Sequence, residues 1–107
     1  MEAKRLVPID EFCSMQSIEI SFIISLQKSG LVEVTTIKNQ GYLDSAQLSQ
    51  IEKYIVLYYD LDINVEGIET INHLLNRIDS MRQEIINLRN KLRYDEINNG
   101  NELTLNY

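Results

Sequence analysis

Nucleophilic or metal chemistry in this sequence would have to run through one cysteine, Cys13, and one histidine, His73, which lie a full domain apart along the chain. A catalytic thiol needs a base beside it, and a structural zinc site needs about four Cys or His ligands, so this pair completes neither. Cys13 follows Phe12 on the inner side of an opening helix and reads as a small buried hydrophobe. His73, one residue before an apolar heptad position, reads as a surface side chain. Carboxylates adjoin at Asp10-Glu11 and Asp95-Glu96, but adjacent residues do not face each other on a helix, and no apolar pocket is implied around them for acid and base work. The glycines, Gly30, Gly41, Gly67 and Gly100, assemble neither phosphate-cradling pattern, GxGxxG or GxxxxGK[ST]. These residues predict a protein that is not an enzyme and uses no cofactor and no metal.

Composition bounds the partners instead. A chain of 107 residues, 44% hydrophobic and 24% charged, fits one soluble globular domain with a modest core. No run of about 18 apolar residues could span a membrane, and the start, Met1 to Pro8, lacks the apolar stretch of a secretory signal. A single cysteine cannot form an internal disulfide. The expectation is a reducing, cytoplasmic setting away from membranes. Ten Lys and Arg against sixteen Asp and Glu leave a net charge of −6, a field that repels phosphate backbones and favours basic partners.

The elements follow from spacing. Pro8 biases Val7 toward extended backbone, so Arg5 to Pro8 reads as a short leading strand, and Asp10 reads as the N-cap of a first helix. A second helix runs from Ser17 or Glu19 to Ser29, with Ile18, Phe22, Ile23 and Leu26 on one face, and Gly30 stands where a left-handed residue ends it. The β-branched run Leu31 to Ile37, a turn over Lys38 to Gly41, and Tyr42-Leu43 predict a hairpin wing. Asp44 or Ser45 caps a third helix to about Tyr59, striped by Leu48, Ile51, Tyr54, Ile55 and Tyr58, and Asp62 or Asn64 caps the last. In that last helix Ile71, Ile78, Ile85 and Leu92 alternate with Leu74, Met81 and Leu88 as the a and d positions of about three heptads.

Such a seam predicts a homodimer interface, although packing against the chain's own first domain would use the same stripe. Glu84 and Arg89 would pair across a parallel dimer while Arg77 and Arg82 would repel, which leaves the orientation open. From Asp95 the sequence is polar and rich in asparagine, the composition of a mobile tail. The predicted organisation is therefore a front domain over 1–60, a long helix over 61–94 and a tail over 95–107.

Two short helices, a glycine stop, a β wing, a third helix and a long terminal helix resemble the winged helix-turn-helix of the MerR-like superfamily. The implied fold class is mainly α, a small-winged helix-turn-helix followed by a long C-terminal heptad helix. A closer resemblance rests on Ile9-Asp-Glu-Phe-Cys13, on Leu57-Tyr-Tyr-Asp-Leu-Asp-Ile-Asn-Val-Glu-Gly-Ile68, and on Leu88-Arg-Asn-Lys-Leu-Arg93. Together these resemble the CbpM family of chaperone modulators over roughly residues 5 to 94. That resemblance implies binding to the J-domain of a CbpA/DnaJ-type co-chaperone and restraint of its activity. Glu52, Tyr58, Tyr59, Asp60, Asp62 and Glu66, on the most family-like stretch, are the expected partner-binding residues.

The alternative is a MerR-like transcription regulator that binds DNA, and composition counts against it. DNA affinity is built mainly on Lys and Arg neutralising phosphates. Between Glu19 and Ser29 the one cation is Lys28, and Ile24, Ser25 and Leu26 stand where MerR regulators typically carry Arg-Tyr-Tyr. Over residues 1–60 five cations, Lys4, Arg5, Lys28, Lys38 and Lys53, meet eight carboxylates. Tyrosine supplies rigid contact area and carboxylates meet basic side chains, which suits the acidic surface to a basic protein partner.

Overall fold

The computed structural model describes residues 5–99. The chain divides into two compact units, one ending at Ile71 and the other beginning at Asn72. In the first, β1 (Leu6–Pro8) leads directly into α1 (Ile9–Gln16), with Pro8 itself in the N-cap position at φ −59°. The helix therefore begins before Asp10, which sits inside its first turn and does not cap it. There the Asp10 carboxylate accepts from the Glu11 N–H at 3.0 Å and from Gln40 Nε2 at 3.3 Å. α1 closes on Ser17, left-handed at φ 56°, with the Ile18 N–H donating to the Cys13 carbonyl at 3.0 Å.

α2 (Ile20–Lys28) follows after a three-residue turn over 17–19, the spacing of a helix-turn-helix. Its end satisfies two orphan carbonyls at once: Leu31 N–H donates to Leu26 at 2.9 Å and Gly30 N–H to Gln27 at 3.0 Å. Gly30 carries the left-handed φ of +76° that this ending needs.

The wing is a three-stranded antiparallel sheet in the order β1-β3-β2, with β2 at Thr35–Ile37 and β3 at Gln40–Asp44. Lys38 and Asn39, at φ 50° and 66°, form the two-residue turn whose twist suits a hairpin. The strand expected over 31–37 is shorter because its first half is held differently. Val32 is buried, and the Gln47 side-chain amide takes the place of a partner strand, accepting from the Glu33 N–H at 2.8 Å and donating to the Glu33 carbonyl at 2.9 Å. Gln47→Ala removes both bonds and is expected to cost about 1–2 kcal/mol in urea unfolding, with the secondary structure retained.

Asp44 accepts from the Ala46 N–H at 3.0 Å, capping a 3₁₀ turn (Ser45–Gln47) that opens into α3 (Leu48–Ile55). The third helix reaches Asp60, close to the expected Tyr59, but its α-helical register ends at Ile55. It widens into a π turn (Val56–Asp60), closed by the Leu61 N–H on the Val56 carbonyl at 3.1 Å and the Ile63 N–H on the Leu57 carbonyl at 2.9 Å. The wider register turns Tyr58 out of the apolar stripe, so Ile51 and Tyr54 are buried while Tyr58 is 37% exposed.

α4 (Val65–Asn99) starts on Asn64, whose side chain accepts from the Gly67 N–H at 2.8 Å. Asp62 is the left-handed residue before it, not its cap. Ile68, fully buried, is part of the core with Phe12, Ile23, Leu26, Leu43 and Ile51, so the start of the long helix belongs to the first unit's packing. At its other end α4 runs through residues 95–99, where a tail was expected; a formed helix extends by one hydrogen bond per residue, and no Gly or Pro intervenes before Gly100. Residues 100–107 of the expected tail lie outside the described residues.

Candidate partner-binding site

The π turn leaves two aromatic rings at the surface, held from beneath by Phe22 of α2. Tyr58 lies against Phe22 at a centroid distance of 4.4 Å, and Tyr59 meets Phe22 edge-on at 5.4 Å and Tyr58 at 5.0 Å. Offset and edge contacts of this kind favour fixed ring positions over free rotamers. Tyr59 has a second task, since its hydroxyl accepts from the Glu19 N–H, a free donor at the start of α2, at 3.2 Å. It is 41% exposed and couples the π turn to the helix-turn-helix.

Glu52, Asp60, Asp62 and Glu66 are all exposed. Asp60 ends the π turn, and Glu66 sits in the first turn of α4, where the helix dipole favours a carboxylate. Val56 and Leu61 add exposed apolar area beside them. The exposed side chains of this stretch are thus acidic, aromatic and apolar.

Of the six expected residues, Tyr58 and Glu66 line one open pocket of about 380 Å³; Glu52, Tyr59, Asp60 and Asp62 do not. The other walls are Ser25, Lys28 and Ser29 from the end of α2, with Asn64 and Val65. Sequence reasoning did not single out these residues as a site, because nothing in local spacing places the end of α2 beside the start of α4. Only the packing of Phe22 against the π turn does.

Elsewhere the chemistry is spare. Cys13 is buried, and burial first, then the nearby Asp10 carboxylate, push its thiol up from its ordinary value, which keeps it protonated and weakly nucleophilic at neutral pH. His73 is exposed. Among the described residues no group of His, Cys, Asp and Glu comes together that could hold a metal ion, and no helix is long and apolar enough to cross a membrane.

The exposed polar side chains of α2 are Ser21, Gln27 and Lys28, and the wing tip offers Lys38. In α4, Ile71 is half-buried, while Leu74, Ile78, Met81, Ile85 and Leu88 are 51–55% exposed and Leu92 is 37% exposed. The a/d seam of α4 is therefore an exposed apolar stripe in the single chain.

A turn-linked pair of helices with a small antiparallel wing and a long helix after it defines a winged helix-turn-helix regulatory protein. Residues 7–90 match the family described as MerR HTH family regulatory protein, and the chain belongs to that family. Neither a curated protein nor a solved structure matches the chain.

Proposed function

We propose that this MerR-family chain is a non-enzymatic cytoplasmic regulator that binds the J-domain of a CbpA/DnaJ-type co-chaperone. It inhibits the co-chaperone by covering the surface offered to an Hsp70 partner. One observation carries the reading: the helix-turn-helix keeps its shape while the exposed face of α2 holds a single cation, and the charged residues of the 58–66 stretch that carries Tyr58 and Tyr59 are all acidic. Phosphate contacts each need a cation, whereas a basic protein helix needs carboxylates and aromatic area. The heptad seam of α4 pairs two copies, so that one dimer presents two binding faces.

The test is charge reversal on the acidic surface. Asp60→Lys combined with Glu66→Lys is expected to weaken J-domain binding about tenfold, mostly through a slower on-rate, and to flatten its salt dependence. Affinity and salt dependence equal to those of the unmodified protein would remove both residues from the interface. DNA binding is the second reading, favoured by the family match itself. It predicts that Lys28→Ala and Lys38→Ala each lower affinity for duplex DNA and reduce the salt slope by about one.

A further inference from the structure

The pocket between the end of α2 and the start of α4 holds two opposite charges that do not satisfy each other. Lys28 is in the last turn of α2 and Glu66 in the first turn of α4; both line the pocket, and among the described residues no ion pair joins them. Opposite charges facing one concavity without meeting can be bridged by a ligand carrying the matching pair. The remaining walls suit that task. Ser25 spends its hydroxyl proton on the Ser21 carbonyl at 3.0 Å, which leaves its oxygen as an acceptor. Asn64 spends Oδ1 on the Gly67 N–H, which leaves Nδ2 as a donor. Tyr58 supplies a ring face braced by Phe22, against which an alkyl stem or a guanidinium can lie.

We infer that this pocket receives a protein segment presenting a carboxylate beside an arginine or lysine, the carboxylate going to Lys28 and the cation to Glu66 over the Tyr58 ring. The inference rests on the proposed function in taking the segment to belong to the J-domain partner. It deepens that reading in one respect: the site recognises a charge pair, where a uniformly acidic surface would recognise only a basic one. Lys28 would then contribute to protein binding, although it is the one cation of the helix that a DNA reader would use. A uniformly basic partner would be repelled by Lys28, so the pocket also discriminates.

Two measurements separate this inference from the reading it rests on. The first titrates the full chain with the blocked dipeptide acetyl-Asp-Arg-amide, followed by amide chemical shifts, with acetyl-Ala-Arg-amide and acetyl-Asp-Ala-amide as controls. Saturable millimolar shifts confined to Ser25, Lys28, Ser29, Asn64 and Glu66, at least threefold weaker for each control, are expected. No shifts there, or equal shifts with all three peptides, would overturn the charge-pair assignment whether or not a J-domain binds. The second compares Lys28→Glu and Glu66→Lys for binding to the isolated J-domain. Each is expected to lose at least threefold in affinity, with helix content retained and only a small drop in the unfolding midpoint from the reversed charge at a helix end. A J-domain that binds both variants as tightly as the unmodified chain would place its contact outside the pocket and overturn the inference. A J-domain that binds none of the three proteins would overturn the proposed function, while the dipeptide titration still decides the pocket.

Discussion

Ile85→Asp in α4 is expected to convert the proposed dimer to monomer in sedimentation velocity at micromolar concentration, without lowering the stability of the first unit. Ile85 is an a position, flanked by Met81 and Leu88 at d, and all three are about half exposed in the single chain. A carboxylate there meets water in the monomer and costs little. In a paired seam, two carboxylates would be taken out of water near each other in an otherwise apolar layer, with Arg89 at its edge offsetting only part of a penalty of several kcal/mol. The substitution therefore separates association from folding: helical signal persists at low concentration while the dissociation constant rises by two or more decades. Leu88→Asp should behave alike. A monomeric unmodified protein, or a dimer indifferent to both substitutions, would mean that the seam serves another partner.

Phe22→Ala has the largest expected effect on the fold itself, a loss of about 3–5 kcal/mol in urea unfolding. The ring is 3% exposed and packs among the buried side chains of the first unit. Small domains commonly hold about 5–15 kcal/mol in total, so the variant would stand near its unfolding threshold at moderate temperature. The same ring braces Tyr58 and Tyr59, so its removal frees the proposed contact surface as well. With no tryptophan in the chain, the near-ultraviolet dichroism comes mainly from the six tyrosines, of which Tyr58 and Tyr59 are two. Its intensity should fall even under conditions where helix content is retained. Phe22→Leu, which keeps most of the volume, should cost about 1 kcal/mol yet still lose the ring contacts, separating packing from bracing.

The helices and the wing could be placed from the sequence because their signals are local. The apolar face of α2, the left-handed Gly30 after it and the seam of α4 each show in spacing over a few turns. What the sequence did not show was set by partners distant along the chain. Gln47 stands in as a strand partner for Glu33, which shortens β2, and no pattern around either residue signals that exchange. The π turn is a second case. Tyr58 continues the period of α3, but the extra residue per turn takes it out of the core and leaves it over Phe22. The acidic residues of the site were readable as exposed carboxylates. The placing of one of them, Glu66, in a pocket with Lys28 and Ser29 was not, because it depends on how α2 and the 56–66 segment pack.

Whether this MerR-family fold contacts a protein and not DNA is decided by calorimetric titration of the purified chain. The isolated J-domain of the same organism's CbpA-like co-chaperone is one ligand and duplex DNA the other, both at moderate salt. Saturable J-domain binding in the micromolar range or tighter, with no heat from DNA, is the predicted result. No J-domain binding together with salt-dependent DNA binding would contradict it, and would mean that the few cations of α2 and the wing suffice to hold a duplex.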